Sequence, residues 1–209
     1  PLYTSKGVPT SAIYGFWKMV FRSLKEIEPD SFVIAFDSPK KTFRKEIYPD
    51  YKANREEAPD DLKEQIRVIV EMVKAHKVPC LMKNGLEADD IIAFLSKKFE
   101  SEGKLVYILS SDKDLSQLVS ENIKIARPEQ GVSELKIMGE AEVFEKFNVK
   151  PDQILDYLAL LGDHSDNIPG VKGIGEKTAS ALLKDWGNLD NIYKNIGLMK
   201  SESIKRKLI

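Results

Sequence analysis

Apolar residues spaced three and four apart open the regular part of the chain. Ile13, Phe16, Trp17, Val20, Phe21 and Leu24 share one face after Pro9, which predicts a helix capped by Thr10 or Ser11. Trp17 then belongs to a core. The pattern changes to unbroken apolar runs at 32–36, 78–82 and 105–109, each read as a strand. Between and after them come helical patterns at 60–76 and about 87–99, and a short helix from Asp114. This alternation predicts an α/β fold: a parallel sheet flanked by helices, joined by right-handed crossovers. Further strands are expected at 122–126 and 134–138. From Gly139 onward the pattern is helical, through 140–147, 151–161, 176–186 and 188–195. A soft boundary near 148 therefore separates an α/β domain, 1–148, from a helical domain, 149–209. The stretch at about 38–58 is polar and aromatic with no period, and a connection that long is expected to be functional.

Composition narrows the class. With 209 residues, 42% of them hydrophobic, the chain can build one α/β core and a small helical appendage. No apolar run approaches the roughly 20 residues of a membrane span, and the start lacks a signal-peptide pattern, so a cytoplasmic monomer is expected. The lone cysteine, Cys80, cannot form an internal disulfide and reads as a buried strand residue. The net charge of −1 conceals segregation. Lys40, Lys41, Arg44, Lys45, Lys52 and Arg55 crowd one stretch against only Glu46 and Asp50, a cationic face able to meet phosphates. A charge run alone is more often a solvated face.

The acids are gathered too. Asp37 follows the first apolar run; Glu87, Asp89 and Asp90 open a helix; Asp112 and Asp114 follow the third run; Asp163 and Asp166 fall in the helical part. Carboxyl ends of strands are where open parallel sheets build their sites. Two unit charges about 4 Å apart repel by roughly 1 kcal/mol in water and by several times that near a protein surface. Something positive should offset this. One cysteine and two histidines exclude a soft ligand set, and oxygen donors favour Mg²⁺ or Mn²⁺. Glu87 and Asp90 lie three apart at a helix start, where the dipole favours carboxylates, and Asp112 and Asp114 repeat the device. Two such clusters could hold a pair of metals about 4 Å apart, the arrangement for phosphodiester hydrolysis. Asp163 and Asp166 could close the second position, with His164 between them facing solvent.

The second informative stretch is Gly170-Val171-Lys172-Gly173-Ile174-Gly175, followed by Lys177. Its glycines let backbone N–H groups approach an anion, and Lys172 and Lys177 add charge. It reads as a hairpin gripping a DNA backbone. The spacing of Gly170 and Gly175 also suits a nucleotide loop, but Glu176 precedes Lys177 and no strand leads in.

Taken in order, Ala35-Phe36-Asp37, Tyr51-Lys52-Ala53-Asn54-Arg55, Glu87-Ala88-Asp89-Asp90, Ser111-Asp112-Lys113-Asp114, Gly162-Asp163-His164-Ser165-Asp166-Asn167-Ile168-Pro169 and the glycine hairpin resemble the 5′→3′ exonuclease domain of bacterial DNA polymerase I, within the flap endonuclease family. The match covers nearly the whole chain. The resemblance implies a PIN-like α/β domain with a helix-three-turn-helix module, acting on 5′ flaps, nicks and 5′ ends of DNA in replication and repair, with RNA primers left open. It implies two Mg²⁺ or Mn²⁺ ions: Asp37, Glu87, Asp89 and Asp112 around one, Asp114, Asp163 and Asp166 around the other, with Asp90 in support. Lys52 and Arg55 match the basic residues at the base of a helical arch, about 38–58, that steady the scissile phosphate. Tyr51 looks like the aromatic on which the terminal base can stack, with buried packing nearly as open, and Arg44 of the cationic stretch is expected to contact DNA. A potassium ion on the hairpin carbonyls and a polymerase domain in the parent chain are further implications. Family members begin with a strand ending in Asp-Gly-Asn, whose aspartate binds metal. Here residues 1–7 are turn-like, so the chain is expected to start beyond that point. The alternative function is a module that holds branched DNA without cutting it.

Overall fold

A computed structural model describes residues 2–128 and 135–209. The chain opens with α1 (Ser11–Ile27), β1 (Ile34–Ala35), the short α2 (Arg44–Ile47), α3 (Asp60–Ala75) and β2 (Cys80–Leu81). Next come α4 (Ala88–Ser101), β3 (Val106–Leu109), a 3-10 turn at Asp114–Leu118, β4 (Ile123–Pro128) and β5 (Leu135–Met138). The helical part holds α5 (Glu140–Phe147), α6 (Ile154–Leu161), α7 (Glu176–Trp186), α8 (Leu189–Lys194) and α9 (Glu202–Leu208). Every predicted helix and strand is present, the strands shifted by a residue or two or shortened. Residue 134 of the last expected strand, and Pro1 of the turn-like start, lie outside the described residues.

The sheet departs from a single parallel one. β1 and β2 pair in parallel as a two-stranded piece, while β3, β4 and β5 form a separate three-stranded sheet. β5 runs antiparallel to β4. Only residues 129–134 connect them, and a parallel return needs a crossover of about a dozen residues or more.

Two apolar clusters hold the chain. The smaller buries Trp17, Val20, Ile69 and Val73 between α1 and α3, with β1 and β2 packed on it. Cys80 is half-buried there rather than fully enclosed. The larger runs from Ile108, Leu115, Ile123 and Ile125 through Val143 and Val149 to Leu160, Leu183, Ile192 and Leu208. It crosses position 148 without a break, so the α/β and helical parts share one core. Burying each such side chain contributes about 1.5–3 kcal/mol.

The start of α1 shows a cap the sequence did not reveal. Thr10 makes no side-chain bond to the helix, and Ser11 Oγ instead accepts the Leu2 N–H at 2.6 Å. The orphan amide of Ala12 is met by Gln65 Oε1 of α3 at 2.9 Å, which explains a buried glutamine in an apolar interface. Among the described residues no helix is long and apolar enough to cross a membrane.

Candidate active site

The acids gather along one rim. Asp37, just past β1, accepts the Ala88 N–H of α4 through Oδ1 at 2.8 Å. Glu87 precedes α4 at its N-cap and is buried. Asp112 follows β3, and its Oδ1 accepts the Asp114 N–H at 2.9 Å. Asp163 begins the loop after α6, where it exchanges two 2.8 Å backbone bonds with Ile168. Tyr51 ties the two sides together: its hydroxyl lies 3.0 Å from Glu87 Oε2 and 2.9 Å from Asp166 Oδ2.

Cations meet some of these acids and not others. Lys52 Nζ stands 2.7 Å from Glu87 Oε2 and 3.9 Å from Asp166 Oδ1. Arg55 Nη2 donates to Asp166 Oδ1 at 2.7 Å, and Lys113 Nζ stands 3.0 Å from Asp163 Oδ2. Burial pushes the Glu87 carboxyl up, but Lys52, Tyr51 and Arg44 together bring it below the ordinary glutamate value. Asp163 is likewise raised by burial and brought lower overall, chiefly by Lys113. Asp89 and Asp114 are relieved less: Lys52 and Lys113 draw them down only through space, among the described residues their carboxyl groups make no hydrogen bond or ion pair, and Asp114 Oδ1 is a buried orphan. Burial first, then the charges of Asp112 and Asp37, push Asp89 up to about 6. Burial first, then Asp112 and Asp163, push Asp114 up to about 6. Each expected metal group thus contains one half-buried carboxyl lacking a positive neighbour within bonding reach.

The oxygen donors and the orphaned Asp114 Oδ1 suit hard divalent cations, with Asp37, Glu87, Asp89, Asp112, Asp114, Asp163 and Asp166 available. Yet among the described residues no three such groups stand close enough to hold an ion as arranged. Lys52 and Tyr51 engage Glu87 Oε2, and Tyr51 and Arg55 engage the two oxygens of Asp166.

Asp90, Arg44 and Tyr51 are each engaged by neighbouring side chains. Asp90 has both oxygens engaged by Arg44, at 2.7 and 2.9 Å, and also accepts the Glu87 N–H at 2.9 Å, so it organises the start of α4 rather than offering a ligand. That bidentate pair engages the Arg44 guanidinium and keeps the Asp90 carboxyl below its ordinary range. Tyr51 is only 6% exposed, with burial and then Asp166 holding its hydroxyl protonated, so no base can stack on it in this conformation. His164 is exposed as expected, and its carbonyl accepts from Asn54 at 2.6 Å.

Sequence reasoning missed how the segment around Tyr51 is fastened. Lys52 N–H donates to the Asp166 carbonyl at 3.0 Å and Arg55 Nε to the Ser165 carbonyl at 3.0 Å. Tyr48 Oη donates to the Asn167 carbonyl at 3.1 Å, and Asn167 Nδ2 to the Asp50 carbonyl at 2.8 Å. The only available signal was the density of Asn, Tyr and Asp in both segments.

In the hairpin, Gly170 serves packing. At φ 62° its α-carbon lies against the Leu161 and Gly162 backbone, where a Cβ would collide. Gly173, φ 82°, lies in the exposed turn between Lys172 and Ile174, and Gly175 stands at the N-cap of α7. Among the described residues the amides of Lys172, Gly173 and Gly175 donate to no protein group, and Lys172 and Lys177 are exposed. A nucleotide loop is excluded as before, since the segment before the hairpin is a turn and not a strand.

A carboxylate rim on an α/β domain, joined to a helical module with a free-amide hairpin, is the architecture of a 5′ nuclease. Residues 1–148 match the family model described as 5′-3′ exonuclease, N-terminal resolvase-like domain, and 149–209 its C-terminal SAM fold. The chain belongs to the 5′-3′ exonuclease family. It is 50% identical over 195 residues to the 5′-3′ exonuclease of Aquifex aeolicus, covering 93% of this chain and 66% of that one. It is 43% identical to the thermostable DNA polymerase I of Thermus thermophilus over 99% of this chain, which spans 24% of the polymerase. Among solved structures, zinc-bound T5 5′-exonuclease superposes with a TM-score of 0.77 at 23% identity, over 93% of this chain and 74% of that one. The catalytic core of Rad2 in complex with DNA substrate superposes at 0.64 and 18% identity, over 99% and 66%. These two share the fold.

Proposed function

We propose that the chain hydrolyses phosphodiester bonds near the 5′ ends of flapped or nicked DNA, using two Mg²⁺ or Mn²⁺ ions held by the carboxylate rim. The observation that carries this reading is the pair Asp89 and Asp114, one in each acid group, both half-buried without a cationic partner and both raised to about 6. When bound, the cations supply an activated water and neutralise charge on the leaving oxygen. The chain's own residues do the rest. Lys52 and Arg55 exchange their carboxylate partners for the scissile phosphate and stabilise the charge that develops on it. The hairpin amides, with Lys172 and Lys177, hold the duplex backbone, which fixes position without reading sequence. RNA primers, a monomeric state, a polymerase domain in the parent protein and a cytoplasmic location belong to the same proposal, as does the division near 148.

A second reading, that the chain holds branched DNA without cutting it, is favoured by the lack of a preformed three-carboxylate group among the described residues. Incubating a 5′-flap oligonucleotide duplex with the chain, in EDTA and in Mn²⁺, separates the two. The nuclease reading expects shortened 5′ products only with the metal. Binding without products in Mn²⁺ would establish the second reading instead.

A further inference from the structure

The last turn of α9 reaches the hairpin. Lys207 Nζ donates to the Gly173 carbonyl at 2.9 Å, across 34 residues of sequence. Its stem runs over the Gly173 α-carbon: a Cβ there would lie 3.1 Å from Lys207 Cε, 3.2 Å from Nζ and 3.5 Å from Cδ. Gly173 is thus needed twice, for its φ of 82° and for the lysine that crosses it. The lysine itself is held from below. Leu208 is buried in the main core with Ile204 packed against that core, and Ser201 Oγ caps the helix by accepting the Ile204 N–H.

A carbonyl oxygen in a turn facing a phosphate backbone is a local negative pole among the amides that should attract that backbone. We propose that Lys207 is a positioning residue of the DNA grip: its tethered ammonium neutralises the Gly173 carbonyl and fixes the turn so that the neighbouring amides are free for phosphate. This rests on the reading of the hairpin as a duplex-backbone contact. The hairpin potassium ion implied by family resemblance would meet a Gly173 carbonyl that already holds a cation from its own chain.

Binding of a fluorescent 5′-flap duplex in EDTA, across a series of KCl concentrations, tests the role. Lys207→Met is expected to weaken binding about fivefold, because the turn must then be ordered as DNA binds, with the melting temperature lowered by only a few degrees for one exposed hydrogen bond. Because the ammonium is engaged by a carbonyl and not a phosphate, the slope of log affinity against log salt should stay that of the parent. Lys207→Arg, which keeps a donor, should bind as the parent does. Unchanged affinity in the Met variant overturns the inference. So does a slope shallower by about one unit, which would make Lys207 a phosphate ligand, and so does an Arg variant as weak as Met. The double variant Lys172→Met, Lys177→Met is the control. If it also binds as the parent does, the hairpin reading has failed; if it weakens binding while Lys207→Met is silent, only the role of Lys207 has failed.

Discussion

At the scale of single residues, the rim sorts its acids by company. Glu87, Asp90 and Asp163 are paired with cations and titrate below their ordinary values; Asp89 and Asp114 form no ion pair among the described residues, and burial with neighbouring acids raises them to about 6 despite the more distant Lys52 and Lys113. The two sets act on stability in opposite senses. A carboxyl at about 6 in the folded chain and 3.8 when unfolded binds its proton more tightly when folded, so the metal-free protein loses stability as pH rises between those values. The lowered acids contribute stability above their unfolded values and lose it on further acidification. In EDTA the melting temperature should therefore be higher at pH 5 than at pH 7. Asp114→Asn should shrink that difference, and adding Mg²⁺ at pH 7 should reverse it. A melting temperature in EDTA that rises from pH 5 to pH 7, and responds to neither change, would contradict the assignment of strain to these carboxyls.

Most of the acids were legible in the sequence because they follow an apolar run or open a helix, positions that chemistry favours for carboxylates. Their partners were not. Nothing in the spacing of Tyr51, Lys52 and Arg55 says that they fold back onto Glu87 and Asp166, residues 36 and 115 positions from Tyr51, because such pairings depend on tertiary closure. The pairing of Asp90 with Arg44 was hidden for the same reason: the bidentate contact spans 46 residues.

At the scale of elements, the polar stretch between β1 and α3 is a strap whose cations pair with acids of the rim. It carries one short helix, α2, and otherwise turns, held by Tyr48, Tyr51, Lys52, Asn54 and Arg55 against the 163–167 loop. Lys52 adopts φ 55°, a left-handed conformation unusual for lysine that the two-sided attachment maintains. If the proposed metal site forms, these contacts compete with its cations for Glu87 and Asp166. Trypsin should therefore cut after Lys52 and Arg55 slowly in EDTA and faster once Mn²⁺ is added, read by mass spectrometry of the fragments. Equal protection in both conditions would mean that the strap does not yield to metal. The sequence marked this stretch as functional by its length and its lack of period, but could not show where it docks. The helices were read well because apolar spacing over three or more turns is a strong signal. The sheet was read less well, since a run of five apolar residues does not say which strand it pairs with or in which direction.

At the scale of the whole molecule, one core passes from β3 and β4 through Val143 and Val149 into α6, α7, α8 and α9. The boundary near 148 is thus a change of pattern along the chain and not a gap in packing. The shared core sets the carboxylates after β3 against those of the 163–167 loop, and Lys113 with Asp163 seals the junction. A rim assembled across such a core holds its charges at fixed spacing, so the repulsion among them cannot be relaxed by the two parts drifting apart.

Calorimetric titration of the metal-free chain with Mn²⁺ at pH 7 decides whether two bound cations relieve that crowding. The account predicts two ions bound per chain, with Asp89→Asn and Asp114→Asn each removing or weakening one of them. A parent chain that binds no Mn²⁺, or variants that bind both ions as the parent does, would contradict it.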